Sequence, residues 1–310
     1  MRRKLFVIGT GFDKSHGLDT LYQDFYEYLK SEYSESDEYN IVVPDATIDH
    51  HGNEIFDKNE VVGYLLNLIN RSEDQYWSSF ESTLGKLDFS NEFEELPECY
   101  DRDGDRNLFH EAYNNEDLAV KLSKCVPKIK ELFSEWIKTI DISKAVPKKE
   151  FIEMVDEESD KFLSFNYTLT LEEVYNIKNV YHIHGVIGEE LLIGHTSAPL
   201  FENGQDGKYI GSEHGLEMIH NILRKDIEGA LKKNIDFFED LGENIHDIYV
   251  YGFSCGKEDE EYLRQIIEKT AKSDVTWYFL ERENLSKKEN ILKNLGYKGK
   301  VKSYHIKGTD

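Results

Sequence analysis

From Lys161 to His305 short apolar runs alternate with amphipathic segments, and this rhythm constrains the fold more than any other feature of the chain. Lys161–Phe165, Val180–Ile183, Leu191–Ile193, Ile245–Tyr251, Val275–Leu280 and Val301–His305 read as strands. Leu169–Tyr175, Glu217–Leu241, Glu258–Lys269 and Lys287–Leu295 read as helices, because their apolar residues return with the helical period. A strand, a crossover helix and a second strand place neighbouring strands parallel and cover both faces of the sheet with helices. The start of the chain joins this set. Lys4–Ile8 is a buried-type strand, and Leu18–Leu29 follows as a helix with Leu21, Phe25 and Leu29 four residues apart. The expected class is α/β, a mainly parallel sheet with helices on both faces.

The middle of the chain has another texture. Ser31–Asp57 is polar, with Pro44, Gly52 and a His50-His51 pair, and reads as loop or short hairpin. Asn59–Asn70 and Asp74–Leu87 read as helices, with Val62, Leu65, Leu66 and Ile69 on one face of the first and Trp77, Phe80, Leu84 and Leu87 on one side of the second. Asn91–Asn107 is acidic and irregular. Leu108–Ile140 reads as one long helix or as two, with Pro127 as the natural interruption. With 310 residues the chain can bury one large domain carrying an insertion. The expected organisation is a single α/β domain, its core in residues 1–30 and 155–310, with a mainly helical insertion over residues 45–150. The insertion is a candidate surface for sensing or self-association; Trp77, Phe80 and Trp136 within it read as core.

Composition excludes several partners. There are 61 acidic against 37 basic residues, a formal charge of −24. Such a surface repels nucleic-acid backbones and anionic membranes. The lysines of Lys121–Lys130 and Lys144–Lys149 read as solvated faces. Cys99, Cys125 and Cys255 form no CxxC pair and no metal-finger spacing, as expected of unpaired thiols in a reducing cytoplasm. After Met1-Arg2-Arg3-Lys4 the apolar run Leu5–Ile8 is too short for a secretory core, and no other run approaches spanning length. A cytoplasmic protein without a membrane partner is expected.

Four stretches could carry chemistry. In "KLFVIGTGFDKSHGLDT", Lys4–Thr20, a strand runs into Gly9, Thr10 and Gly11, with Asp13 just beyond. Gly9-x-Gly11 is half of a dinucleotide fingerprint, but Lys14 stands where the third glycine belongs, and the glycine that a P-loop needs before its lysine is missing. Small residues there would let a phosphate or ribose approach the main chain; a merely tight strand-to-helix turn would use them equally. In "KFLSFNYTLTLEEVY", Lys161–Tyr175, a strand ends at Asn166, which is either a ligand contact or an N-terminal helix cap. In "NVYHIHGVIGEELLIGH", Asn179–His195, alternation puts His182 and His184 on one face of a strand, with Gly185 ending it. His184 is well placed as a general base; a packed histidine, or a metal site formed by His182, His184 and His195, are the competing readings. In "DIYVYGFSCGKEDEEYLRQI", Asp247–Ile266, Gly252 and Ser254 follow a strand and suit ribose or phosphate contact, whereas Glu258, Asp259 and Glu260 complement a helix N-terminus. In a parallel sheet all these strand ends share one edge, so they are expected to converge on one crevice that takes a nucleotide.

Together, "FVIGTGFDKSHGLDTLYQDF", "WSSFESTLGKL", "FNYTLTLE", "HIHG" followed by "IGH", and "VYGFSCGKEDEEY" resemble the AbiH family of bacteriophage abortive-infection proteins, with Thr10 in place of the usual Asn of a Gly-Asn-Gly-Phe-Asp opening. AbiH sequences in turn resemble sirtuin-type NAD-binding domains, which implies a Rossmann-like fold and NAD as substrate. Carried over by position, the resemblance implies that Gly9, Thr10 and Gly11 cradle NAD, Asn166 holds the nicotinamide ribose, His184 acts as base, and Gly252 and Ser254 face the adenosine; His182 is expected among the nucleotide-binding residues. Asp13, without a sirtuin counterpart, is then a ribose ligand or an added acid. The sirtuin four-cysteine zinc module is missing and Thr168 stands where sirtuins carry an Asp, so deacetylation is not implied and another nucleotide could replace NAD. The implied activity is NAD glycohydrolysis with no metal, gated by oligomerisation of the chain or by a phage-derived trigger. The alternatives are a nucleotide-binding sensor without turnover, or a metal-dependent phosphodiesterase or nuclease, against which the acidity counts.

Overall fold

The computed structural model describes residues 3–37, 41–72, 77–200, 208–242 and 245–307. Among these residues the strands are β1 (Arg3–Ile8), β2 (Thr47–Ile48), β3 (Glu54–Ile55), β4 (Lys161–Ser164), β5 (Val180–His182), β6 (Ile245–Tyr251), β7 (Thr276–Leu280) and β8 (Lys300–Tyr304). The chain divides into two compact units. One comprises Met1–Leu21, Ile137–Leu192 and Asp226–Asp310, the other Tyr22–Trp136 and Ile193–Lys225.

The first unit holds a six-stranded sheet in the order β5-β4-β1-β6-β7-β8, parallel throughout. Counted along the chain within this sheet, the order is 3-2-1-4-5-6, that of a doubly wound Rossmann-like sheet. Strand alternation sorts the side chains onto two cores. Leu5, Val7, Leu163, Ile248, Val250, Trp277 and Phe279 enter one, with Phe237 and Phe238 of the helix Ile235–Glu239 and with Leu263 and Ile266 of the helix Glu260–Lys269. Phe6, Ile8, Phe162 and Tyr251 enter the other, with Phe12, Phe151 and Leu171 from three short helices. Both faces are thus covered, which is why the strands read as continuous apolar runs.

The second unit is mainly helical. Phe25 of the helix Tyr22–Glu32 packs edge-on against Trp77, Phe80 and Phe133, and Trp136 lies 5.2 Å from the same ring. Trp77, Phe80 and Trp136 are buried, as a core reading requires. The helix Lys58–Arg71 is capped by Asp57, whose side chain accepts from the N–H groups of Asn59 and Glu60. Two helices, Leu108–Cys125 and Lys128–Ile137, meet at Pro127. The polar stretch before Asp57 contains the β2–β3 hairpin. Of the helix expected over Asp74–Leu87, residues 74–76 lie outside the described ones; a 3-10 turn at Trp77–Ser79 and the helix Phe80–Leu84 follow.

Three expectations fail. Glu217–Leu241 is not one helix but parts of three, Glu213–Leu223, Ile227–Lys233 and Ile235–Glu239. Arg224 is extended and bridges to His195, and Asp226 caps the next helix by accepting from the Gly229 N–H. Leu191–Ile193 forms no strand; its single ladder-like bond runs from Leu192 N–H to the His184 carbonyl. The helix after β1 is only Thr10–Ser15, and the next begins at Tyr22 rather than Leu18, because Gly17 turns the chain at φ 79°. No helix among the described residues is long and apolar enough to cross a membrane.

Candidate active site at the carboxyl edge of the sheet

Strand order reverses between β1 and β6, so the crevice of such a sheet opens beyond their carboxyl ends. The two turns that leave these ends touch. Gly9 N–H donates to the Tyr251 carbonyl at 3.0 Å and Gly11 N–H to the Gly252 carbonyl at 2.9 Å. A Cβ at Gly252, where φ is 66°, would fall 2.3 Å from the Phe12 nitrogen; one at Gly11 would fall 2.7 Å from the Gly252 Cα. Backbone-to-backbone packing of the turns therefore requires glycine by itself, and it engages the Gly11 N–H that a phosphate cradle would use. Thr10 and Gly11 remain half-exposed, and Ser254 is exposed beyond Gly252.

Below this contact Asp13 is fully buried. Its Oδ2 accepts a 2.6 Å hydrogen bond from the Thr168 hydroxyl, which lies 3.0 Å from the Thr170 hydroxyl. Burial pushes the Asp13 carboxyl up to about 6, against the opposing pull of Thr168, Thr170, Asn166 and the charge of His182. Asn166 is the second buried group. Its Nδ2 donates to the Gly9 carbonyl at 3.1 Å and its backbone N–H to the Ser164 hydroxyl, so the amide ties the end of β4 to the end of β1. Among the described residues Asp13 Oδ1 and Asn166 Oδ1 have no aligned donor, and neither has Oε2 of Glu172, the partner of His182.

The two histidines of the "HIHG" stretch part company. β5 ends at His182, and a turn closed by Gly185 N–H and the His182 carbonyl takes over, so the expected alternation stops before His184. His182 spans Glu172, 2.7 Å from Nε2, and the Asn166 carbonyl, 3.1 Å from Nδ1. Burial alone would lower its pKa; Glu172, the Asn166 carbonyl and Asp13 outweigh it and raise the pKa above the usual 6.5. His184 is instead enclosed by the rings of Phe165, Tyr167 and Tyr262. Its Nε2 lies 3.1 Å from Asp259 Oδ1, close but out of hydrogen-bond alignment. An imidazole beside a carboxylate in an aromatic enclosure can take up and return a proton.

His195 belongs to the second unit and to a different network. Its Nε2 donates to the His220 carbonyl at 3.0 Å and its Nδ1 accepts from Ser197 N–H at 3.1 Å. Both nitrogens are thus engaged, as are both of His182. Among the described residues no group of three or more His, Cys, Asp and Glu side chains is arranged to hold a metal ion. Nearby, Glu81 of the "WSSFE" stretch bridges Lys225, at 2.8 Å, and the Gly194 N–H.

The structure brings Gly9, Gly11, Asp13, Asn166 and His182 into one connected set, and joins Gly252 to it through the turn contact. Sequence reasoning overlooked Glu172 and the pairing role of Asp259. Asp259 sits in a run of four acids, Glu258 to Glu261, where nothing local distinguishes the one that faces a histidine.

Residues 5–281 match the family model described as bacteriophage abortive infection AbiH. No curated protein and no solved structure matches the chain significantly. The family match covers the doubly wound sheet from Leu5 in β1 through β7 and every residue of the carboxyl-edge set, and on that extent the chain belongs to the AbiH family of bacteriophage abortive infection.

Proposed function

We propose that this AbiH protein serves abortive infection by hydrolysing NAD to ADP-ribose and nicotinamide at the carboxyl edge of its sheet. The observation that carries this reading is the pair of buried acceptors without donors, Asp13 Oδ1 and Asn166 Oδ1, at the switch point of a doubly wound sheet. Buried acceptors are normally satisfied, and ribose hydroxyls are donors of the right kind. The sirtuin resemblance of the four strand-end motifs supports the same substrate.

Cleavage of the nicotinamide–ribose bond passes through an oxocarbenium-like state. Asn166 and Asp13 hold the ribose; Gly9, Thr10, Gly11 and Ser254 border the nucleotide. Water adds to the ribose carbon, the bonding pair leaves with nicotinamide, and His184 accepts the water proton. Asp259 stabilises the resulting imidazolium. A general base contributes roughly 10²–10⁴-fold. Loss of NAD would halt an infected cell, and an oligomeric or phage-derived trigger would keep the activity off beforehand.

The test is nicotinamide release by purified protein, with and without phage lysate, for wild type, Asn166→Ala and His184→Ala. Release by wild type and a loss of at least about 100-fold in His184→Ala are expected. Undiminished release by folded His184→Ala would remove the base assignment. Binding of NAD without release under every condition would identify a sensor instead.

A further inference from the structure

Asp13 is a buried carboxylate with one oxygen bonded and the other open. Its Oδ2 is fixed by Thr168, whose hydroxyl is itself oriented by Thr170, while Oδ1 is buried and without an aligned donor. The side-chain amide of Asn166 lies near enough to favour the charged carboxylate, yet its own Oδ1 is also without a donor. Two acceptors in one buried set, with no cation bonded to Asp13 among the described residues, have a definite preference. They accept donors, and they repel anything that brings its own negative charge.

We propose that Asp13, with Asn166, is the specificity-determining acceptor for the free 2′ and 3′ hydroxyls of the ribose at the scissile bond. It thereby selects an unmodified ribose over a deoxy or phosphorylated one. This rests on the NAD reading above and deepens it. The groups that face Asp13 are Thr168 and Asn166 from the segment after β4, Thr170 from the helix Thr170–Tyr175, and His182 from β5 with Glu172 behind it. All but Glu172 favour the ionised form, the form that accepts from both hydroxyls.

The test is calorimetric titration of the full chain at pH 7.5 with ADP-ribose and with its analogue lacking the 2′ hydroxyl of the terminal ribose. A hydrogen bond to a charged acceptor predicts that wild type prefers ADP-ribose by about 10- to 100-fold. Asp13→Asn is expected to bind both weakly, with the preference reduced to a few-fold. ADP-ribose bound with no preference in wild type overturns the inference and leaves NAD hydrolysis standing. A preference that survives intact in Asp13→Asn also overturns it. No binding of ADP-ribose overturns the inference, and nicotinamide release then decides by itself whether NAD hydrolysis stands. Because the decisive comparison is made on wild type, it does not depend on the variant folding.

Discussion

Each of the two units buries a carboxylate, and the two are treated in opposite ways. In the helical unit Glu81 accepts from the Lys225 ammonium and the Gly194 N–H, and the Lys225 side chain is fully buried. His195 beside it has both ring nitrogens bonded, and Gly85 is glycine because a Cβ would meet the His195 ring at 2.8 Å. In that cluster His220 Nε2 has no aligned partner among the described residues. Among the described residues of the α/β unit Asp13 has a single aligned hydroxyl and no ammonium, and both it and Asn166 keep an oxygen without an aligned donor. A polar network that closes on itself specifies a fold, whereas one left open at the ligand edge of a sheet specifies a ligand. The "WSSFE" and "IGH" stretches therefore belong to the first kind; under the proposed function the "GTGFD" and "FNYT" stretches belong to the second.

The largest effect is expected where the network is closed. Glu81→Ala leaves the Lys225 ammonium buried without that carboxylate and should destabilise the helical unit by about 3–5 kcal/mol, read by denaturant unfolding. Replacing both, Glu81→Leu with Lys225→Met, should recover most of the loss. A single-variant loss below about 1 kcal/mol would place Glu81 with the open networks and break the contrast.

Asp13→Asn should move stability the other way. The folded carboxyl titrates near 6 against an ordinary 3.8, so keeping it ionised costs about 3 kcal/mol at pH 7.5. The folded state holds its proton more tightly than the unfolded one. The cost is therefore absent below pH 4, grows as pH rises from 4 to 6, and is constant above. The variant should accordingly gain up to about 3 kcal/mol at pH 7.5 and nothing at pH 3.5, while weakening the proposed binding of ADP-ribose. Equal stability of the two proteins at pH 7.5 would mean that Asp13 is as well satisfied as Glu81.

His195 offers the matching titration in the closed network. Burial lowers its pKa to about 4, helped by the positive charges of His220 when protonated, Arg224 and Lys130. Here the unfolded state binds the proton first, at the ordinary 6.5. Stability is full above 6.5 and falls as pH drops towards 4, by about 2 kcal/mol at pH 5. The imidazole resonances of His195 should stay those of the neutral ring at pH 5; a midpoint near 6.5 would show a cluster open to water.

This contrast also explains what the sequence could and could not disclose. The strand Ile245–Tyr251 has the same limits in the sequence pattern and in the structure, because a strand buried on both faces is an uninterrupted apolar run. Glycines and Asn166 at strand ends stand out in the sequence as candidates because open α/β sheets place ligands there. The reason for Gly252, by contrast, lies in the facing turn, which no local pattern records. Pairings across 75 to 144 residues, His184 with Asp259 and Glu81 with Lys225, are set by tertiary packing alone. Period-two alternation misplaced His184 because it assumes a strand, and β5 stops one residue short of Ile183.

The finest test concerns how the open network is tuned. Thr168 donates to the charged form of Asp13, so its hydroxyl holds the carboxyl below where burial alone would put it. Thr168→Val keeps the side-chain volume and removes the donor. The Asp13 midpoint, followed by the carboxyl carbon resonance or by the pH dependence of unfolding, should rise by about one unit, roughly 1.4 kcal/mol. Thr168→Ser restores a hydroxyl and should return the midpoint to within a few tenths of wild type. A structural role for Thr168 in packing predicts the reverse order, with Val tolerated and Ser destabilising, and an unmoved midpoint in both. Thr170 gives the same test one step further out, since it reaches Asp13 partly through Thr168 and its removal should move the midpoint less.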